Sequence, residues 1–141
     1  MRNRRTWTHA ALAMCVFSQA GAADLTVLAR QIRSSDGQVK LMLFDREEGF
    51  RKEEKARQVV ALSAGTGNVN GVFRGIPPGH YAVIAYHDEN GDGKLNLRFG
   101  MFPKEGYGLS NNPKLLGPPK FKDAAFEVLE SGSQVEIRLD Y

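Results

Sequence analysis

The segment DENGDGKLN, which begins at Asp88, carries oxygen-bearing side chains at a spacing that suits calcium. Asp88, Asn90 and Asp92 lie two residues apart, and a glycine follows them. In EF-hand loops, positions 1, 3 and 5 supply side-chain oxygens and position 6 is glycine, while position 7 gives a carbonyl and position 9 often acts through water. Counted from Asp88, positions 7 and 9 are Lys94 and Asn96. The first half of the segment therefore predicts a Ca²⁺ site.

The second half of the loop departs from that pattern. Position 12 is Phe99, which has no oxygen to offer in place of the usual bidentate glutamate. Glu105, further along the chain, is the candidate ligand that would complete the shell by folding back, and water is the alternative. Two formal charges and an incomplete shell predict a weak site, with a dissociation constant of about 10⁻⁴ to 10⁻³ M or weaker.

A tight bend is the competing interpretation of the same residues. Asn-Gly and Asp-Gly are favoured turn dipeptides, and Asx side chains accept hydrogen bonds from nearby backbone amides. The stretch from Asn90 to Gly93 contains both dipeptides. The whole pattern is longer than a two-residue turn requires, so the metal site and the bend both remain open.

Catalysis has weaker support in the sequence. His87 and Asp88 are neighbours, and neighbours on a strand point to opposite faces, which makes them a poor acid–base pair. No serine stands in a G-x-S-x-G context. We therefore predict a non-catalytic module. The alternative is a hydrolase acting on an envelope polymer through Glu105 and His87, brought together by the loop between them.

A long irregular segment, Phe99 to Pro119, follows the loop. Connections of more than about a dozen residues are usually functional or disordered, and the many apolar residues here argue against disorder, so we expect it to pack on the domain. It mixes aromatic and amide side chains, as sugar-binding and peptide-binding surfaces do. The predicted partner surface comprises Phe99, Phe102, Tyr107, Asn111 and Asn112. The alternative is that the aromatic residues only anchor the segment.

The elements that must position these residues are strands. Apolar residues alternate with period two between short turns, which indicates antiparallel pairing. The stretch His80 to Asp88 is apolar on both faces and predicts a central strand, while Asp36-Gly37 predicts a hairpin between the first two strands. The charged stretch Asp45 to Arg57 predicts surface helical turns with Phe50 against the sheet. The predicted fold is all-β, a single antiparallel β-sandwich of about seven strands with one long irregular loop.

The first 22 residues have the organisation of a signal peptide, with a basic start, a short apolar run and a small-x-small end. The predicted domain is 23–141, periplasmic or secreted, exported by a Sec-type rather than a twin-arginine signal. Without Arg2, Arg4 and Arg5 the chain has 16 residues of each charge, which argues against nucleic-acid binding. Cys15 leaves with the signal. We expect a monomer without a membrane span, whose partner is an envelope protein or glycan.

Three blocks carry a resemblance to known proteins. The block FRGIPPGHYAVIAYHDENGDGKLN (73–96) resembles prealbumin-like, or carboxypeptidase-regulatory-like, sandwich domains. With FGMFPKEGYGLSNN (99–112) and PPKFKDAAFEV (118–128), the chain is similar to exported bacterial proteins of domain-of-unknown-function family 2141. The resemblance implies a small periplasmic or secreted β-sandwich and implies no activity.

Overall fold

A computed structural model describes residues 21–141, so the predicted signal peptide lies outside the described residues except for its last two positions. The first strand begins at Ala23. None of the helices in this part of the chain has the length and apolar character needed to cross a membrane.

Residues 21–141 form ten strands, a short α-helix and a 3₁₀ helix. The strands are β1 (Ala23–Ile32), β2 (Gln38–Phe44), β3 (Gln58–Ser63), β4 (Gly67–Ile76), β5 (Gly79–Asp88), β6 (Leu97–Arg98), β7 (Phe102–Pro103), β8 (Tyr107–Leu109), β9 (Phe126–Val128) and β10 (Ser133–Arg138). The 3₁₀ helix is Glu53–Lys55, and α1 is Phe121–Ala124. The all-β prediction is confirmed.

Two larger sheets and one hairpin organise these strands. The first sheet has the order β10-β1-β4, and the second has the order β3-β2-β5-β8, with β9 also pairing with β5. Strands β6 and β7 pair with each other. All pairs are antiparallel except β1 with β10, which is parallel. The expectation of purely antiparallel pairing is therefore wrong at that edge, because β10 arrives from the second sheet rather than through a hairpin from β1.

The predicted hairpin at Asp36-Gly37 is also wrong. Strands β1 and β2 belong to different sheets, so this turn carries the chain from one sheet to the other. Apolar residues recur at every second position on both strands because both strands face the shared core, β1 through Val27 and β2 through Leu41. A turn signal shows that the chain bends, and it does not specify which strands pair afterwards.

The core has two parts. The larger cluster combines side chains of both sheets, with Leu25, Phe73 and Leu41 fully buried among them. A second cluster lies on the other face of the second sheet, where Phe50 stands edge-on between Phe44 and Phe121, with ring centroids 5.2 and 5.8 Å away. The predicted burial of Phe50 is therefore confirmed, and the charged segment around it lies on the surface.

Strand β5 is the centre of the second sheet. It pairs with β2, β8 and β9, and every residue from Tyr81 to Asp88 is buried. The predicted central strand is confirmed. Because β5 ends at Asp88, a rigid strand fixes the first residue of the candidate calcium loop.

Candidate functional site

The Asp88 carboxylate is fully buried and organises the loop that follows it. Its Oδ1 accepts a hydrogen bond from the Asp92 amide (3.2 Å). Its Oδ2 accepts from the Gly93 amide (2.9 Å) and from Nε2 of Gln38 (3.0 Å). One carboxylate therefore draws the chain back toward the strand end, as an Asx turn does.

The exposed part of the loop closes on Asp92. Its Oδ1 accepts from the Lys94 amide (2.8 Å), and its Oδ2 accepts from Nδ2 of Asn96 (2.8 Å). Oδ1 of Asn90 accepts from the Asp92 amide (3.1 Å). The Asn96 and Lys94 hydrogen bonds lower the pKa of Asp92, which keeps this carboxyl ionised. The loop thus brings several side-chain oxygens close together. The oxygens named here already accept hydrogen bonds from other groups of the same chain.

Glu105 folds back onto the loop. Its carboxylate is buried and accepts from the Glu89 amide through Oε1 (3.1 Å) and from the Asn96 amide through Oε2 (3.0 Å). It therefore braces both ends of the loop through backbone amides. Within residues 21–141, no group of three or more His, Cys, Asp and Glu side chains is arranged to hold a metal ion.

The Gly93 carbonyl ties the loop to the sheet. It accepts from Nζ of Lys40 (3.1 Å) and from the Tyr86 hydroxyl (3.1 Å). Lys40 also pairs with Glu53 (2.7 Å), and burial raises the pKa of Tyr86 to about 12. The sequence did not indicate Gln38, Lys40 and Tyr86 as residues of the site. The β2–β5 register, which places Gln38 opposite Asp88 and Lys40 opposite Tyr86, brings them to the loop.

His87 is fully buried, and both of its ring nitrogens have partners. Nε2 lies 2.7 Å from the Asp36 carbonyl oxygen and Nδ1 lies 2.8 Å from the Tyr141 hydroxyl. Since a carbonyl only accepts, Nε2 carries a proton, and in the neutral imidazole Nδ1 accepts from the hydroxyl. The backbone amide of Arg33 donates to the same hydroxyl (3.1 Å), and the Arg33 guanidinium lies 4.4 Å from the Tyr141 ring centroid. His87 thus anchors the C-terminus, and its hydrogen bonds go to groups other than Glu105.

The chain from Leu97 to Pro103 forms a small hairpin, here called the apolar hairpin. Its exposed fractions are 84% at Phe99, 70% at Met101, 61% at Phe102 and 42% at Leu97. The Lys104 amide donates to the Asn96 carbonyl (2.8 Å) at its base. The Asn96 amide donates to Glu105, so Asn96 is hydrogen-bonded through both its amide and its carbonyl. Glu105 therefore stabilises the end of the loop and the base of the hairpin together.

The five predicted partner residues lie in three places. Phe99 and Phe102 project from the apolar hairpin, and Tyr107 is half-buried in β8. Asn111 and Asn112 donate to the backbone carbonyls of Ala125 (2.7 Å) and Glu136 (3.0 Å). The expectation that the long segment packs on the domain is confirmed for β8 and wrong for the apolar hairpin. Composition shows that a segment is apolar and leaves open which of its apolar residues reach the core.

A groove of about 660 Å³ is lined by both the apolar hairpin and the loop that follows β8. Phe102 and Pro103 come from the hairpin, and Pro113, Lys114 and Leu115 come from the loop. Strand β8 and the residues Arg138, Asp140 and Tyr141 near the chain end also line it. Residues 102–103 of the apolar hairpin and residues 113–115 therefore lie close to one another.

A protein-family model described as "Uncharacterized protein conserved in bacteria (DUF2141)" matches residues 27–137. The chain belongs to this family. Family 2141 thus covers nearly all of the described chain, and the predicted resemblance to this family is confirmed. No curated protein and no solved structure matches the chain significantly. The description of family 2141 names no activity, so a function has to be argued from the geometry.

Proposed function

We propose that this member of family 2141 is an exported, non-catalytic binding module of the cell envelope, with the apolar hairpin as its contact surface. The exposure of Phe99, Met101 and Phe102 on one short hairpin carries the proposal. Soluble monomers scatter single apolar residues over their surface, and clusters of them mark interaction sites. The export part of the proposal rests on the signal-like residues 1–22.

The brace beneath the apolar hairpin supports the same proposal. Glu105 and Asn96 fix the base, and Asp88 fixes the preceding loop to the central strand. A surface held in place before binding loses less conformational entropy when the partner arrives. The hydrogen bonds of the loop therefore have a use in binding besides closing a turn.

The surroundings of His87 and Glu105 support a non-catalytic role. A general acid or base must come within hydrogen-bond reach of its substrate. His87 is fully buried with two partners, and Glu105 is buried with two amide donors. No specific observation favours the hydrolase alternative, which stays a prediction.

The second part of the proposal is that Ca²⁺ stabilises the loop. Oxygen-bearing side chains at Asp88, Asn90, Asp92 and Asn96, together with the Lys94 carbonyl, surround one tight turn. The two amide donors on Glu105 favour water over Glu105 as the closing ligand. Since the loop closes through its own hydrogen bonds, we expect an ion to add stability rather than to create the fold.

A thermal melt with and without calcium tests this second part. Binding to the folded state alone raises the melting temperature once calcium exceeds the dissociation constant. We expect a rise in millimolar calcium that chelator reverses and that the double variant Asp88→Asn/Asp92→Asn lacks. An unchanged melting temperature, or an equal rise in the double variant, would contradict calcium binding at this loop.

Retention on isolated envelopes tests the first part. We expect the double variant Phe99→Ser/Met101→Ser to lose binding to envelope fractions from the source bacterium. Val59 and Leu129 are also exposed, at 40% and 51%, and lie outside the apolar hairpin, so Val59→Ser/Leu129→Ser is the matched control. Equal retention of both double variants would overturn the role of the hairpin.

A further inference from the structure

We propose that the partner of the apolar hairpin is the anionic surface of a lipid bilayer. This inference rests on the proposed function and deepens it by naming the chemistry of the partner. Amphipathic elements bind at the bilayer interface when apolar side chains enter the boundary of the hydrocarbon and cations remain at the headgroups. The segment from Lys94 to Leu116 combines these two features.

Charge is unevenly distributed along the exported chain. Residues 94–116 contain four cations, Lys94, Arg98, Lys104 and Lys114, against a single anion, Glu105. The rest of residues 23–141 contains 12 cations against 15 anions. The one anion of the segment is also buried under two amide donors. The segment that carries the apolar hairpin therefore has a net positive charge on a domain whose other residues are net negative.

None of these four cations forms a salt bridge with the described residues. All four are exposed, whereas the salt bridges within residues 21–141 use cations outside the segment. Each lysine or arginine near an anionic bilayer strengthens attraction by about 1 kcal/mol, which is roughly a fivefold change in affinity. Unpaired cations keep that attraction available.

Exposed apolar residues lie on two segments that line the same groove. Phe99 and Met101 lie on the apolar hairpin, and Leu116, which is fully exposed, follows the groove-lining Leu115. Arg138 and Asp140, which carry opposite charges, also line this groove. Exposed apolar side chains on two such segments, with exposed cations in the same stretch of chain, suit shallow insertion into headgroups.

A folded protein partner fits these observations less well. Stable protein interfaces bury about 1,200 Å² or more, and their cores are depleted of charged residues, lysine in particular. Here the exposed apolar residues sit on seven residues of hairpin and one neighbouring loop, and lysines flank them directly. Anionic phospholipid supplies the complementary charge and a boundary that accepts separate side chains.

Vesicle co-sedimentation tests the inference, with the chain beginning at Ala23, which contains every described strand and both core clusters. We expect binding to vesicles of phosphatidylglycerol and phosphatidylcholine in equal parts, weak binding to phosphatidylcholine alone, and weakening by sodium chloride. Lys94→Gln/Lys104→Gln should reduce affinity about 25-fold. The matched control is Lys52→Gln/Lys55→Gln, which changes two exposed lysines without salt bridges elsewhere in the described chain. Phe99→Ser/Met101→Ser should abolish binding.

Failure of this inference differs from failure of the proposed function. No binding to phosphatidylglycerol vesicles, or equal loss in both lysine double variants, overturns the lipid assignment. If envelope retention still depends on Phe99 and Met101 but disappears after the envelopes are treated with protease, the partner is a protein and the lipid assignment falls alone. If retention never depends on the hairpin, both proposals fall. Circular dichroism of each variant establishes that the fold is intact.

Discussion

Glu105 is the residue on which the loop and the apolar hairpin both depend. It is charged and buried, and its two oxygens accept amide hydrogens at Glu89 and Asn96. Hydrogen bonds to charged groups contribute about 1.5 to 3 kcal/mol each, and a buried amide left without its acceptor is destabilising. The carboxylate therefore stabilises the start and the end of the candidate site together.

We predict that Glu105→Gln lowers the free energy of unfolding by about 2 kcal/mol, because an amide offers one acceptor where the carboxylate offers two. Urea denaturation measures the change. Amide hydrogen exchange should also accelerate at Glu89 and Asn96. Glu54→Gln, at an exposed site without a hydrogen-bond partner in the described chain, should stay within about 0.5 kcal/mol of the parent. Equal stability of Glu105→Gln and Glu54→Gln would contradict the stabilising role of the Glu105 hydrogen bonds.

His87 and Tyr141 allow a second test at the residue scale. Tyr141→Phe leaves the buried Nδ1 of His87 and the Arg33 amide without the hydroxyl, and we expect a loss of about 1 to 3 kcal/mol. The Tyr107 hydroxyl makes no hydrogen bond to the rest of residues 21–141, so Tyr107→Phe should change stability by about 0.5 kcal/mol or less. Chemical denaturation of Tyr141→Phe and Tyr107→Phe measures both changes. A Tyr141→Phe protein as stable as the parent would contradict the hydrogen bonds assigned to the Tyr141 hydroxyl.

At the scale of elements, period-two alternation predicted the strands well. The burial of β5 followed from apolar residues on both faces, and the turn at Pro77-Pro78 followed from fixed backbone angles. Pairing partners did not follow, because alternation on β1 and β2 is the same whether they share a sheet or face each other across a core. For the same reason the sequence did not predict the hydrogen-bond partners of Asp88, of which Gln38 is one.

The junction between β8 and the chain end gives a prediction about close packing. A Cβ atom added at Gly108 would collide with the backbone oxygen of Arg138 and lie 2.7 Å from Cγ2 of Ile137. We expect Gly108→Ala to destabilise the protein by about 1 to 3 kcal/mol, as overpacking does. Gly117, with open space around its added Cβ, is the control, and alanine there should be neutral or stabilising by up to about 1 kcal/mol. Equal melting temperatures of Gly108→Ala and Gly117→Ala would contradict close packing between β8 and the chain end.

At the scale of the whole molecule, one buried and one half-buried tyrosine predict a dependence on alkaline pH. Burial raises the pKa of Tyr86 and of Tyr107 from 10.0 to about 12. A raised pKa in the folded state means that stability is fully present below pH 10 and is lost as pH rises from 10 through about 12. Denaturation midpoints across this range should fall, and the fall should shrink in Tyr107→Phe. A midpoint that stays constant to pH 12 would contradict the raised pKa of both tyrosines.

The described chain combines a buried core between sheets with one exposed apolar hairpin. The sequence predicted the class of the fold and the position of the loop, because both are encoded in short patterns. It placed Phe99 and Tyr107 on one predicted partner surface and did not distinguish the exposed residue from the half-buried one. The two look alike in composition and differ in whether a strand, β8, carries the side chain to the sheet.

Hydrogen exchange in the presence of isolated envelopes shows whether the apolar hairpin is the binding surface, because it reports which part of the chain the partner covers. We expect slower exchange from Leu97 to Pro103 when envelopes are added, and unchanged exchange from Phe126 to Arg138, which includes the exposed Leu129. Unchanged exchange in the apolar hairpin at saturating envelope, or protection confined to the other region, would contradict the claim that this hairpin is the binding surface.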